Sequence, residues 1–248
     1  MTVLLLGGTY EARVLAARLH PDVAVISSLA GRVPDPALPV GPVRIGGFGG
    51  AEGLRNYLVD NAINAVIDAT HPFAATITAH AAAACAAAGV AHLVLARPAW
   101  DPGAAIVVAD DRAAASAVAQ RGYRRVFLTT GRSGTAVFRD SDAWFLIRAV
   151  TPPEPATLPE NHELLLSRGP YDHAGERDLL QRYRVDALVT KNSGGALTQA
   201  KLAAAADLGI PVVMVQRPAL PSGVGTVGTV EEAVAWATRL SGRLTPEQ

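Results

Sequence analysis

Cysteine is almost missing from this 248-residue chain: Cys85 stands alone. That excludes an internal disulfide and any metal site built from clustered thiolates, and its alanine-rich surroundings read as a small core residue. Lysine is nearly as scarce, since only Lys191 and Lys201 among 22 basic residues are not arginine. Aromatics make up 5% of the residues and the formal net charge is zero, so neither a base-stacking surface nor a basic face calls for nucleic acid or a membrane. Long apolar runs are also lacking. The N-terminal run is only Val3 to Leu6 with no basic region before it, so no signal peptide is expected. The longest weakly polar stretch, Ala79 to Ala96, is broken by His80, Gly89 and His92 and reads as helix–turn–strand, not a membrane span. A cytoplasmic, soluble protein is expected. The six histidines are scattered, so no metal site is expected. Tyr-x-x-x-Lys, G-x-S-x-G, H-E-x-x-H and a Walker loop are all absent, which sets aside the chemistries they serve.

What is present starts at residue 1. An apolar run, Val3 to Leu6, breaks at Gly7-Gly8 and passes directly into a helical pattern from Glu11 to Leu19. A strand that turns on glycines into a helix aims backbone N–H groups at one spot, and the helix dipole favours an anion there. In a dinucleotide fold that spot holds the pyrophosphate. The match to G-x-G-x-x-G is loose, with Gly7, then Thr9 for the second glycine, then Ala12. A plain strand–turn–helix is the competing reading.

The chain also repeats itself. Gly89 to Trp100 aligns without gaps on Gly209 to Leu220, sharing the glycine, the apolar strand and an Arg-Pro-Ala. Each Arg-Pro-Ala leads through a turn and a short β-like piece to a helix, Asp111 to Gln120 and Glu231 to Leu240. Upstream, Ala65 to Thr70 matches Ala187 to Asn192, and Val3 to Gly8 resembles Val126 to Gly131. A period this long is a domain duplication and not a solenoid. Strands alternating with helices imply parallel sheets with helices on their faces. The expected fold is α/β: two Rossmann-like domains with parallel sheets, related by internal duplication, residues 1–100 and 101–248, with the terminal helix free to pack back on the first. Ligands of open parallel sheets bind beyond the carboxyl ends of the strands, so the expected ligand site is a cleft between the two sets of strand ends.

The residues at those ends carry the chemistry. After the second strand come Ser27, Ser28 and Arg32, with no acid before Asp35. An acid there suits a free ribose 2′-hydroxyl, whereas hydroxyls with a cation suit a 2′-phosphate. If a dinucleotide binds, NADP is therefore favoured over NAD; otherwise Arg32 is a solvated loop residue. After the fourth strand comes Asp68-Ala-Thr-His-Pro-Phe-Ala74. Pro72 suits a first helical turn, so Thr70 is expected to cap the helix and His71 to stand at the strand mouth, as a packing residue, a ligand contact or a proton donor. Asp68 reads as a loop-pinning acceptor. In the second half the mouth residues lie in Thr129 to Gly134, Ser167 to Tyr171 and Thr190 to Gly195. Ser193, Gly194 and Gly195 repeat the anion-cradle pattern at a helix start. With Lys191, Lys201, Arg132 and Arg168, this mouth suits a ligand bearing several carboxylates.

Taken in order, these segments resemble the CobK/CbiJ family of precorrin-6A reductases of cobalamin biosynthesis. The carrying motifs are residues 4–12, 28–32, 68–74, 129–132, 167–170 and 189–195, spread over nearly the whole chain. The resemblance implies an NADPH-dependent oxidoreductase that reduces the tetrapyrrole precorrin-6A to precorrin-6B, with hydride to ring carbon 19 and a proton to carbon 18. On that reading Gly7, Gly8, Thr9 and Glu11 hold the phosphates and nearby ribose of the cofactor. Ser28 and Arg32 read the 2′-phosphate, and Thr70 and His71 lie near the nicotinamide. Arg132, Arg168, Lys191, Ser193, Gly194 and Lys201 grip the macrocycle, and His71, Lys191, Lys201 or water supplies the proton. Transient contact with neighbouring pathway enzymes is compatible with this role. The alternatives are a non-catalytic NADP-binding protein and a two-domain binder of an anionic metabolite.

Overall fold

The first strand, β1 (Thr2–Leu6), is apolar at every inward position because both faces of its sheet are covered. Val3 and Leu5 point to one face and Leu4 and Leu6 to the other, and all four are buried. The computed structural model describes residues 1–31 and 37–244. After β1 come α1 (Tyr10–Leu19), β2 (Ala24–Leu29), β3 (Val43–Ile45), α2 (Gly50–Asp60), β4 (Ala65–Asp68), α3 (Ala75–Ala88) and β5 (Ala91–Leu95). Then follow β6 (Ile106–Val108), α4 (Asp111–Gln120), β7 (Arg125–Thr129), β8 (Trp144–Ala149), β9 (His162–Leu166), α5 (His173–Arg182), β10 (Ala187–Lys191), α6 (Ala200–Asp207) and β11 (Val212–Val215). The last elements are β12 (Gly225–Val227) and α7 (Val230–Leu244).

Two six-stranded sheets form, ordered β12-β5-β4-β1-β2-β3 and β6-β11-β10-β7-β8-β9. All pairings are parallel. Each has the 3-2-1-4-5-6 order of a dinucleotide-binding sheet, with β7 to β11 repeating β1 to β5, as the duplication predicts. The sixth strand is exchanged. The piece after the first Arg-Pro-Ala, β6, pairs with β11 (Val213↔Ile106), and the piece after the second, β12, pairs with β5 (Gly225↔Leu93).

The chain accordingly divides into one unit of Met1–Pro98 with Pro218–Gln248 and another of Ala99–Arg217. The residues from Pro218 onward thus lie with the first unit, unlike the boundary of 101–248 drawn from sequence. The cause is local: Ala233 and Ala237 of α7 are buried in the same cluster as Ala12, Leu15 and Ala16 of α1. On the opposite face of that sheet, α2 and α3 bury Leu54, Leu58, Ala81 and Cys85 against Leu4, Leu6 and Val66. In the second unit, Leu180 of α5 and Ala204 and Ala205 of α6 close over Phe127, Leu146 and Leu188. Among the described residues no helix is long and apolar enough to cross a membrane.

Candidate functional site

In the first unit three strand ends and one helix start converge. The N–H of Gly7 donates to the Ser28 carbonyl at 2.9 Å, tying the end of β1 to the end of β2. Gly8 takes φ +109°, a conformation open to glycine, and a Cβ there would meet nothing within 4 Å. Thr9 then caps α1: its Oγ1 accepts from the Ala12 N–H at 3.1 Å and donates to the Ala69 carbonyl at 2.8 Å. One hydroxyl therefore fixes the helix start and the loop after β4 together. The N–H groups of Tyr10 and Glu11, in the first turn, have no intrahelical acceptor. A groove beside this turn is lined by Leu5, Gly7, Gly8, Arg13 and Ser27. Ser27 is 1% exposed, and its Oγ has no partner among the described residues. Open glycine backbone, an unclaimed helix N-terminus and a spare hydroxyl fit a dinucleotide pyrophosphate.

Ser28 accepts at Oγ from Arg44 Nη1 at 2.9 Å. Arg32 lies outside the described residues. Glu11, expected at the cofactor's phosphates and nearby ribose, pairs with Arg97, Nη1 to Oε2 at 2.7 Å. Thr70 corrects one expectation. It does not cap α3, which begins at Ala75 with no side-chain cap; its N–H and hydroxyl both donate to Asp68 Oδ1, at 3.0 and 2.6 Å. Pro72 falls in a turn closed by the Ala74 N–H on the His71 carbonyl, so the helix starts after it. Asp68 pins the loop, as its position suggested. His71 is exposed, and its Nδ1 accepts from the Phe73 N–H at 3.3 Å, which leaves the proton of a neutral ring on Nε2. Deeper in the same unit, burial pushes the Cys85 thiol up to about 12, which makes it an inert core residue. Burial also lowers His92, and the Asp68 carboxylate acts against that shift.

The second unit furnishes its strand ends with ions. Arg148, at the end of β8, and Glu176 of α5 form a two-pronged pair at 2.5 and 2.7 Å, with both side chains buried. The guanidinium carbon of Arg148 lies 3.8 Å from the centre of the Tyr171 ring. Lys201 is the clearest departure from expectation. Placed at the mouth by sequence, it is only 4% exposed: Nζ donates to the Thr198 carbonyl at 2.6 Å and sits 4.5 Å above the Trp100 ring. Burial, with Arg148 nearby, lowers it to about 7, against the opposing pull of Glu176. Lys191 is at the mouth but paired with Asp111 Oδ2 at 3.2 Å. Ser193 turns back so that its N–H meets the Lys191 carbonyl at 2.8 Å, and Gly194 and Gly195 follow at φ +65° and +79°. Arg132 and Arg168 are exposed, with Arg132 reaching Thr151 Oγ1 at 3.5 Å.

Sequence reasoning missed Arg44, Asp111, Arg148, Glu176 and the Trp100–Asn192 clasp, in which Asn192 Oδ1 accepts from the Trp100 N–H and Nδ2 donates to its carbonyl. The alignment of Trp100 on Leu220 was the one available signal, since it marks where the two copies diverge. Asp111 Oδ1 and Thr130 Oγ1 are buried without partners among the described residues. No group of three or more metal-ligating side chains occurs among those residues.

Residues 2–238 match the family described as precorrin-6x reductase CbiJ/CobK. The chain is 63% identical over 241 residues to a precorrin-6A reductase of Mycobacterium tuberculosis, covering 97% of this chain and 99% of the relative. It is 52% identical over 246 residues to one of Rhodococcus erythropolis, covering 97% and 99%. A solved structure described as CobK precorrin-6A reductase superposes with a TM-score of 0.89 at 39% identity, over 97% of both chains. With nearly its full length matched and both sheets in a shared fold, the chain belongs to the CbiJ/CobK family of precorrin-6x reductases.

Proposed function

We propose that this protein reduces precorrin-6A to precorrin-6B with NADPH, delivering hydride to ring carbon 19 and a proton to carbon 18. That it is a precorrin-6A reductase of cobalamin biosynthesis follows from its family and from relatives at 52% and 63% identity. The carrying observation for the cofactor is the Gly7-Gly8-Thr9 turn, where open backbone, a capped helix start and the β2 end meet. The nicotinamide, when bound, supplies the hydride. The chain binds and orients: the α1 N-terminus receives the pyrophosphate, the Ser28 end of β2 receives the 2′-phosphate, and the Asp68-pinned loop presents Thr70 and His71 to the nicotinamide end. Arg132 and Arg168, both exposed, with Lys191 and the Ser193-Gly194 turn, receive the carboxylate arms of the macrocycle. The proton comes from water or from one of three side chains held differently: exposed His71, paired Lys191 or buried Lys201. The reaction is placed in the cytoplasm.

Turnover of precorrin-6A with NADPH carrying deuterium on the nicotinamide carbon tests this reading. Label at carbon 19 is expected. Reduction at another carbon would overturn the ring assignment, and equal use of NADH would overturn the cofactor assignment. His71→Gln, Lys191→Met and Lys201→Met, compared by solvent isotope effect and pH–rate profile, identify the donor as the variant that loses the alkaline limb, and retention of that limb in all three points to water.

A further inference from the structure

We infer that Arg44, on the edge strand β3, is the residue that distinguishes NADPH from NADH, forming with Ser28 the subsite for the 2′-phosphate. The inference rests on the NADPH reading above and gives that reading a structural basis independent of Arg32.

Arg44 sits opposite Ser28 in the β2–β3 register. In a 3-2-1-4-5-6 sheet the carboxyl end of the second strand is where the adenosine ribose lies, so the third strand is the nearest source of a cation. The Arg44 guanidinium is already oriented. Nη1 donates to Ser28 Oγ and to the Gly46 carbonyl, both at 2.9 Å, and Nη2 donates to the Gly47 carbonyl at 3.0 Å. The Phe48 ring lies under its carbon at 3.8 Å from the centroid, and Tyr57 is at 5.1 Å. Three hydrogen bonds and a stacked ring hold the plane of the side chain. Five donors less these three leave Nε–H and one Nη2–H without partners among the described residues. A guanidinium with donors to spare, fixed beside a serine hydroxyl, suits the tetrahedral oxygens of a phosphate monoester.

Among the described residues, the glycine loop leaves the approach open. The loop that Arg44 holds contains Gly46, Gly47, Gly49 and Gly50, and a Cβ on any of them would meet nothing within 4 Å. No side chain of that loop except Phe48 therefore stands between solvent and the guanidinium edge, and Phe48 is spent on its face. The Ser28 hydroxyl, which accepts from Arg44, keeps its own proton for a phosphate oxygen.

The experiment is titration of wild type, Arg44→Met and Arg44→Lys with NADPH and with NADH, by calorimetry or nucleotide fluorescence, with a thermal melt of each protein. Methionine keeps the apolar contact with Phe48 and removes the charge. Loss of charge-assisted hydrogen bonds to the phosphate is expected to weaken NADPH by about 10- to 100-fold and to leave NADH within about twofold. Lysine keeps a charge without the fork and is expected to fall between wild type and methionine for NADPH only. If Arg44→Met does not fold, Arg44→Lys decides on the same criterion. Equal weakening of both nucleotides would make Arg44 a clip for the glycine loop and overturn the assignment, and so would no change in either. A wild-type protein that does not prefer NADPH would overturn the cofactor reading itself, a result distinct from a variant that fails to alter an existing preference.

Discussion

The two units share one strand order and furnish its carboxyl ends with different weights of backbone and charge. The first relies mainly on backbone and small groups, with glycines that have open space above them, a threonine that bonds twice and serines at the end of β2, beside one partly exposed ion pair, Arg97 on Glu11. The second sets ions at the ends of β8 and β10, Arg148 on Glu176 and Lys191 on Asp111, and holds Lys201 of α6 over Trp100. The two modes carry different costs. A backbone amide that waits for a phosphate stays solvated until the ligand comes, whereas a buried ion needs its partner at all times. Duplication preserved the scaffold, and divergence acted on the side chains at the strand ends.

The sharpest way to break that contrast is to remove one member of the buried pair. Glu176→Ala leaves the Arg148 guanidinium enclosed and uncompensated, and is expected to cost about 3–5 kcal/mol in urea unfolding. Adding Arg148→Met should recover much of the loss, because the isolated charge is then gone. A single-variant cost under about 1 kcal/mol would mean that water replaces the carboxylate, and would erase the energetic difference between the units.

Lys201 sharpens the same comparison through pH. Its folded value near 7 lies below the ordinary lysine value, so between those limits the unfolded state carries a proton that the folded state does not. Stability should therefore rise with pH from about 7 to about 10, at a limiting slope of about 1.4 kcal/mol per pH unit from this one group. Below pH 7 both states are protonated and the slope from this group vanishes. Lys201→Met should lack the rise. A wild-type curve parallel to the variant across this window would show that the ammonium is solvated.

In the first unit the largest single-residue effect is expected at Thr9. Thr9→Ala removes the cap of α1 and orphans the Ala69 carbonyl, for a loss of about 1–2 kcal/mol. Thr9→Ser keeps both hydrogen bonds and should restore most of it. Alanine should also weaken NADPH, since the helix start and the Thr70 loop are fixed by that one hydroxyl. Unchanged binding beside reduced stability would separate the cap from the ligand site.

The fold was legible because its signals are local and repeated. Apolar runs covered on both faces, glycine turns and the paired Arg-Pro-Ala segments all point to two parallel sheets. The destination of β12 was not legible, since nothing in Gly225–Val227 distinguishes β5 from β11 as a neighbour; the burial of Ala233 and Ala237 against α1 decides it. The candidate site was legible as a set of strand ends and less so as contacts. Glu11 was picked for its place after the first strand and Lys191 for its ammonium, yet neither position nor charge can show that Arg97 and Asp111 stand within reach. Lys201 was placed at the mouth because it is a lysine, and a sequence does not reveal which face of an eight-residue helix carries its ammonium inward. Thr70 was read as a cap because a proline follows, while the nearer acceptor, Asp68, took both of its donors.

The smallest expected effect tests the repeat itself. Arg97 and Arg217 are equivalent by alignment and make different bonds: Arg97 meets the Glu11 carboxylate at 2.7 Å, and Arg217 Nε meets the Asn192 carbonyl at 2.8 Å. The Arg97 and Glu11 side chains are 16% and 22% exposed, between surface and core. Arg97→Met is therefore expected to cost about 1 kcal/mol at low salt. Much of that cost should disappear as ionic strength rises, because an ion pair that water reaches is screened. Glu11→Gln keeps an acceptor for Arg97 and should reproduce the salt effect at smaller size. If the cost of Arg97→Met does not fall with salt, Arg97 acts as a backbone clip, and the Glu11 carboxylate is left to the ligand side of the first strand end.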